Sequence, residues 1–332
     1  MKKIFITGGA GYVGSKLVPK LLDLNYEVTV LDLMIYGENI LSDHKKLRKI
    51  KGDIRDIRLL NKIIPEHDVV IHLACISNDP SFELNPTLGK SINLDAFEPL
   101  VKSSVKNNIS NFIYASSSSV YGIKKKEKNV TEDISLEPLT DYSRFKMECE
   151  KILNKYMSDN FITTILRPST VCGYAKRQRL DLVVNILTNH AFHKREMIVF
   201  GGEQLRPNIH IDDMVNSYLA ILNADNKKIK GEIFNVGFKN QSINELAEDV
   251  KKIIGNDVRI INTKSDDNRS YHVSSKKIKE VLGFETKYTV KDAVSDLKKA
   301  FEKKLLINTF NDEMFFNIKR MQNLKLSWDI IM

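Results

Sequence analysis

Cysteine, tryptophan and long apolar runs are what this sequence has least of. Its three cysteines, Cys75, Cys149 and Cys172, lie far apart with no paired metal-ligand spacing, so neither a disulfide framework nor a zinc or other metal site is expected. No apolar stretch approaches the roughly 20 residues that a membrane-crossing helix needs. Met1-Lys-Lys leads straight into a strand-like run and not into a signal peptide. The expectation is a cytoplasmic protein with no membrane partner. No repeat or low-complexity segment interrupts the 332 residues, enough for one large domain or two unequal ones. A hydrophobic content of 42% with 28% charged residues is ordinary for a soluble globular chain. The net charge of +9 suits an anionic substrate, but the lysines are scattered and the densest run, Lys124–Lys128, reads as a solvated loop. No nucleic-acid motif accompanies the charge, so no nucleic-acid partner is expected.

What is present is concentrated in the first fourteen residues. The apolar run Ile4-Phe5-Ile6 ends in Thr7 and is followed by Gly8, Gly11 and Gly14. The run suits a buried parallel strand, and the glycines suit a tight turn into a helix whose N-terminus accepts a pyrophosphate. Glycine also serves ordinary turns, so the triplet alone is a weak signal. A second apolar run, Val28–Leu31, ends in Asp32, about twenty residues on, where a ribose-binding acid is expected. Leu17, Val18, Leu21, Leu22 and Leu24 between them make a helical stripe.

Apolar runs then alternate with helical patterns as far as Arg167. Strands are expected at 3–7, 27–31, 49–52, 69–73, 111–115 and 163–167, and helices at 11–24, 56–64, 86–107 and 141–158. The alternation predicts an α/β, Rossmann-like doubly wound parallel sheet. Ligands in such sheets gather beyond the carboxyl ends of the strands, so Gly8, Asp32, Asp53, Ala74, Ser116 and Pro168 are expected to line one cleft. After Arg167 the rhythm loosens into helices expected at 180–190, 212–223, 243–254, 274–282 and 290–303. The division expected is a dinucleotide-binding domain over 1–170, a smaller mixed α/β substrate lobe over 171–306 with segments free to return to the first, and a tail over 307–332. The tail, with Phe310, Phe315, Phe316 and Trp328, packs on its own chain or on a neighbouring subunit.

Tyr142 and Lys146 lie four residues apart in an expected helix and so share a face. A phenol titrates near pH 10, and an adjacent ammonium favours the phenolate, moving the group towards a usable base. Such pairs also occur by chance. The serine run Ser116–Ser119 directly after an expected strand offers hydroxyls to a substrate alcohol or carbonyl, or satisfies local backbone groups.

Together these pieces resemble the extended short-chain dehydrogenase/reductase family, in its nucleotide-sugar epimerase/dehydratase branch. The resemblance rests on Thr7–Gly14, Asp32, Gly52–Ile54, His72–Ala74, Asn93, Ser117, Tyr142 with Lys146, Arg167-Pro168, Arg206–His210 and Arg269, in that order. It implies Ser117, Tyr142 and Lys146 as the catalytic set. For NAD it implies Gly8, Gly11, Tyr12, Val13, Gly14, Asp32, Asp53, Ile54, Leu73, Ala74, Cys75, Asn93 and Pro168, with Tyr142 and Lys146 again. Asp32 repels a 2′-phosphate, which favours NAD over NADP. For a nucleotide-diphosphate sugar it implies Ser77, Ser117, Ser118, Thr170, Arg179, Arg206 and Arg269; arginine suits a diphosphate because its planar fork donates two hydrogen bonds. The resemblance puts Arg177 with Arg179 in the segment where relatives gate or contact the nucleotide, with a solvated surface role as the alternative; Asn93 is open to bonding backbone within its own helix, and His210 reads as structural. A homodimer through the helices at 86–107 and 141–158 is also implied.

The family's shared step is oxidation of a sugar hydroxyl, commonly at C4. Its 4,6-dehydratases carry an Asp-Glu pair after the catalytic hydroxyl, where this chain has Ser118 and Ser119, so dehydration lacks its acid and base. The expectation is a 4-epimerase-type enzyme that makes sugars for surface polysaccharides. Thr170 departs from the asparagine of the UDP-galactose 4-epimerase pattern. Residues 177–185 resemble dehydrogenases and reductases acting on GDP-linked heptoses, so a net 4-dehydrogenase or 4-ketoreductase is the alternative. A binding protein that only senses NAD is a further alternative, against which the intact Tyr142/Lys146 pair counts.

Overall fold

The computed structural model describes residues 2–124, 129–264 and 272–324. Its first part contains β1 (Lys3–Thr7), α1 (Gly14–Asp23), β2 (Glu27–Asp32), β3 (Leu47–Lys51), α2 (Ile57–Ile63), β4 (Val69–His72), α3 (Asp79–Glu83), α4 (Pro86–Lys90), α5 (Phe97–Lys106), β5 (Asn111–Ala115), α6 (Asp141–Tyr156) and β6 (Ile162–Pro168). There follow β7 (Thr170–Cys172), α7 (Val183–Lys194), β8 (Glu196–Phe200), β9 (Leu205–His210), α8 (Ile211–Asn223), α9 (Asn226–Ile229), β10 (Glu232–Val236), β11 (Lys239–Ser242), α10 (Ile243–Ile254), β12 (Arg259–Thr263), α11 (Lys276–Leu282), α12 (Val290–Glu302) and α13 (Asn317–Leu324).

Seven strands form one parallel sheet in the order β10-β6-β5-β4-β1-β2-β3. Such a sheet is covered on both faces, so alternate residues of a strand enter different cores. Ile4 and Ile6 pack with Leu17, Val18 and Leu21 of α1. Phe5, between them, packs with Leu60, Leu100 and Leu153 from α2, α5 and α6. All of these are fully buried, and each contributes about 1.5–3 kcal/mol by leaving water. The chain runs outward from β1 to β3, then returns to β4 on the other side of β1, which makes β1/β4 the topological switch point.

The second lobe holds strands that its sequence pattern did not announce. β11, β9 and β7 make a three-stranded sheet and β12 with β8 a two-stranded one, around a core of Val184, Leu246 and Val294 from α7, α10 and α12. These strands are short and partly solvated, so neither strict alternation nor a long apolar run marks them. β10 leaves the lobe and pairs with β6 in the main sheet. The expected helix over 180–190 starts later, at Val183, and runs on to Lys194.

The helix expected over 86–107 is interrupted. Between α4 and α5 the backbone widens into a π-turn over Ser91–Asp95, where Asn93 is drawn inward to bond Ile76 and its carbonyl accepts the Cys149 thiol at 3.1 Å. Lys124 is also not the solvated residue expected: it is buried, 2.5 Å from Glu137 and 3.2 Å from Ser135, while 125–128 lie outside the described residues.

Helix α6 begins with a capping box. Thr140 accepts the Ser143 N–H at 3.3 Å and its own N–H donates to the Ser143 hydroxyl at 3.1 Å, two residues before and one after Tyr142. The middle of the helix is tied to the sheet by a buried fork. Arg167, in β6, donates to both carboxylate oxygens of Glu150 at 3.0 and 2.6 Å and to the Tyr121 hydroxyl at 2.8 Å. The Ser116 hydroxyl completes the group by donating to Glu150 at 2.5 Å. Breaking such a pair strands a buried charge. Glu150→Ala is expected to cost about 3–5 kcal/mol in urea denaturation; a loss under 1 kcal/mol would show that the pair does not hold α6 to β6.

Candidate active site

A cleft of about 480 Å³ opens at the switch point beyond the carboxyl ends of the central strands. All six residues expected from strand ends line it: Gly8, Asp32, Asp53, Ala74, Ser116 and Pro168. So do Gly11, Tyr12, Val13, Gly14, Ile54, Leu73 and Cys75 on the dinucleotide side, and Ser77, Ser117, Ser118, Thr170, Arg179 and Arg206 from the substrate set. Tyr142 and Lys146 complete the lining. Arg269 lies outside the described residues.

The glycine turn is as tight as its spacing implies. Gly8 has φ +72°, and a Cβ there would stand 2.5 Å from the Ala74 nitrogen; one on Gly14 would stand 2.3 Å from the Gly9 carbonyl oxygen. A Cβ on Gly11 meets only the Gly8 oxygen, at 3.1 Å, so its cleft side is open for close approach to backbone. Asp32 caps the end of β2, its carboxylate accepting N–H bonds from Ala10 at 3.0 Å and Met34 at 2.8 Å. Burial raises its pKa, while those two N–H groups and the Arg177 charge oppose the rise.

Asn93 is corrected. It is buried but does not line the cleft: its side-chain oxygen accepts the Ile76 N–H at 2.8 Å and its amide donates to the Ile76 carbonyl at 2.9 Å. Both ends of the amide are spent on the loop after β4, so Asn93 shapes the wall and offers nothing to a cofactor.

Ser117, Tyr142 and Lys146 meet at one end of the cleft. The Ser117 oxygen accepts from the Ser119 N–H at 3.1 Å and from its hydroxyl at 2.9 Å, which leaves its own proton free to point towards the phenol or a substrate. Lys146 donates to the Ala115 carbonyl at 2.6 Å, and its Nζ stands 5.9 Å from the centre of the Tyr142 ring. An ammonium at that distance favours the phenolate, but burial outweighs it. Burial pushes Tyr142 well above the usual range, the charges of Cys75 and Asp79 push it further, and Arg179 and the Ser117 hydroxyl pull it down.

Sequence reasoning missed Asp79, Asn317 and Met321 here and left Arg177 open between two roles. Asp79, at the start of α3, lines the cleft and accepts the Thr140 hydroxyl at 2.6 Å. Arg177 is buried and not solvated, with its guanidinium 3.6 Å from the centre of the Tyr36 ring. Asn317 and Met321 of α13 also line the cleft, which puts this part of the tail on its own chain; Trp328 lies outside the described residues. Asp79-Pro80 was a readable helix start, but nothing near Asn317 marks it as part of a site 240 residues from Ser77.

The NAD dependent epimerase/dehydratase family model matches residues 4–237. The chain belongs to that family. It is 29% identical over 313 residues to a UDP-glucose 4-epimerase of Lactobacillus helveticus, covering 88% of this chain and 94% of that protein. Among solved structures it resembles a UDP-glucose 4-epimerase of Thermotoga maritima with UDP-glucose, at TM-score 0.83 and 26% identity over 92% of this chain and all of that one. It also resembles a UDP-glucuronic acid 4-epimerase of Bacillus cereus in complex with UDP-glucuronic acid and NAD, at TM-score 0.81 and 27% identity over 91% and 99% of the two chains. NAD is thus the cofactor of the family to which this chain belongs, and the residues fit it: the Gly11 backbone is open to the cleft, Asp32 stands at the end of β2, and buried Arg177 and Arg179 each keep a guanidinium nitrogen without a partner among the described residues.

The charges around Tyr142 give a pH test. If the Tyr142 phenolate is the base, a higher phenol pKa moves the rising limb of log kcat/KM to higher pH. Asp79→Asn removes a charge that raises the pKa and should move the limb down by about one unit; Arg179→Gln should move it up by about as much. Profiles at saturating NAD check both signs, and identical limbs in the two variants would exclude Tyr142 as the titrating base.

Proposed function

We propose that the protein is a nucleotide-sugar 4-epimerase acting by transient oxidation at sugar C4. The observation that carries the reading is the Ser117–Tyr142–Lys146 set at the cleft with Ser118 and Ser119, and no carboxylate, directly after the catalytic hydroxyl. The 4-epimerase relatives named above support it.

In this reading Tyr142, as phenolate, takes the proton of the C4 hydroxyl while the C4 hydrogen leaves as hydride, so that a 4-keto sugar forms. NAD, when bound, supplies the hydride acceptor and the means of its return. Ser117 donates to the C4 oxygen and steadies the developing charge. Lys146, anchored on the Ala115 carbonyl, has two further N–H bonds to offer the nicotinamide ribose. Arg179, Arg206 and Thr170 hold the nucleotide diphosphate, and Arg269 joins them by resemblance alone. After the keto sugar turns over, Tyr142 gives the proton back as hydride returns to the other face. The Ser118 and Ser119 hydroxyls are too weak as acids and bases to move a proton at C5 or C6 at neutral pH, so the sequence ends there. A homodimer through α5 and α6 belongs to the same reading and is checked by light scattering.

The test is incubation with UDP-, GDP-, dTDP- and CDP-sugars, followed by NMR and by absorbance of reduced nicotinamide. A C4 epimer without net NADH is expected, and Tyr142→Phe should lower its rate about 10²–10⁴-fold. A keto product with stoichiometric NADH would replace the epimerase by a dehydrogenase. Undiminished turnover in Tyr142→Phe would remove the mechanism, and NAD binding with no turnover across the panel would favour a sensing role.

A further inference from the structure

One wall of the cleft is built from three stretches distant in sequence, joined at Asn317. The Asn317 side-chain oxygen accepts from the Tyr36 hydroxyl at 2.9 Å and from the Arg177 guanidinium at 2.5 Å. Its amide nitrogen donates to the Ser77 hydroxyl at 2.9 Å, and its backbone N–H donates to Asp181 at 3.1 Å. One turn on, Arg320 donates to the Ile35 carbonyl at 2.6 Å. Helix α13 is therefore a strap from the loop after β2 to the loop after β4, across the switch point. It lies outside the 4–237 segment that matches the family model.

The strap fixes an unusual cation. Arg177 is 3% exposed, yet its guanidinium donates to Asn317 and to the Gln178 carbonyl and forms no ion pair with a carboxylate among the described residues. Its Nε has no partner there. The Asp181 charge acts on it without bonding to it, and a buried guanidinium bonded only by neutral groups is costly unless an anion completes it. Its position says which anion. The Arg177 N–H donates to the Ser15 hydroxyl at 3.3 Å, in the first turn of α1, and that hydroxyl bonds the Tyr12 carbonyl at 2.9 Å. The guanidinium lies on Tyr36, beyond the end of β2, within electrostatic reach of Asp32. It thus stands between the helix N-terminus that receives a diphosphate and the acid that receives the adenosine ribose.

We propose that Arg177 binds the diphosphate of NAD together with the glycine turn, and that Asn317, on the C-terminal strap, is its positioning residue. The planar fork stacks on Tyr36 through its face and keeps its edge for phosphate oxygens, an arrangement lysine cannot copy. The inference rests on the family's NAD dependence and not on the reaction, so its test contains no sugar substrate.

The experiment is calorimetric titration of the NAD-stripped full chain with NAD and ADP, and separately with UDP. Arg177→Gln should weaken NAD and ADP about ten- to hundred-fold, speed NAD dissociation in stopped flow by a similar factor, and leave UDP within threefold. Asn317→Asp keeps the acceptor for Tyr36 and Arg177 but sets a carboxylate against the guanidinium. NAD binding should fall at least as far as in Asn317→Ala while the melting temperature stays at or above that of Asn317→Ala, which a merely structural role would not produce. If Arg177→Gln does not fold, Arg177→Lys carries the same test, with a loss of about tenfold expected. A change under threefold for NAD in a folded Arg177 variant overturns the proposal, as does tenfold weaker UDP with NAD unchanged, which would give Arg177 to the sugar nucleotide. Wild-type NAD affinity in Asn317→Asp removes the positioning role.

Discussion

The buried fork between Arg167 and Glu150 is the constraint on which the catalytic end of the cleft depends. The two groups belong to different layers: Arg167 is the penultimate residue of β6, and Glu150 sits in the middle of α6. Bidentate geometry fixes not only their distance but the rotation of the helix about its axis. Rotation matters because Lys146 and Tyr142 lie one and two turns further towards the helix start, and a small error there carries the phenol away from Ser117. The Ser116 hydroxyl on the same carboxylate and the Tyr121 hydroxyl on the same guanidinium anchor both ends of the serine loop. Loop and helix are thus referred to one pair of charges, at a depth where exchange with water does not compete.

The first half of this arrangement was legible because its signals are local. A buried parallel strand followed by glycines needs only a dozen residues to declare itself, and an acid at the end of the next strand confirms it. The end of every central strand faces the same edge of the sheet, so naming the strands was enough to bring Gly8, Asp32, Asp53, Ala74, Ser116 and Pro168 together. Helix boundaries drifted by a few residues, because caps such as Thr140 with Ser143 depend on hydroxyl geometry more than on periodicity. The break at Ser91–Asp95 was invisible for a different reason. Asn93 is drawn out of the helical register by a loop seventeen residues earlier, and a polar residue in a helical pattern says nothing about such a pull.

The second half was less legible because its partners are remote. β10 joins the sheet beside β6 after the chain has made most of another lobe, and its own residues, Glu-Ile-Phe-Asn-Val, give too short a pattern to show that destination. Arg177 carries the same lesson more sharply. An arginine in a polar stretch reads as solvated until the residues that cover it are known, and these are Tyr36 and Asn317, the latter 140 residues away. The tuning of Tyr142 is another such case. Spacing on a helix brings Lys146 to the correct face, but the electrostatic influence of a group depends on what else surrounds the phenol. Cys75, Asp79 and Arg179 arrive from two other loops.

The two ends of the cleft make different demands, and they favour the same chemistry. At the catalytic end the serine run has hydroxyls where a dehydratase needs carboxyls, so nothing at those positions draws the keto sugar forward into elimination. At the dinucleotide end the strap closes over the loops that follow β2 and β4, bound through one asparagine to three walls. A net dehydrogenase must release its reduced cofactor in every cycle, and under the proposal for Arg177 each release leaves a buried guanidinium without its anion. An epimerase returns the hydride before the cycle ends and has no such need. A cleft whose cofactor end is fastened while its sugar end is lined by Thr170, Arg206 and serine hydroxyls is therefore suited to exchanging substrate with the cofactor left in place, which is the division of labour that a redox-neutral reaction at C4 requires.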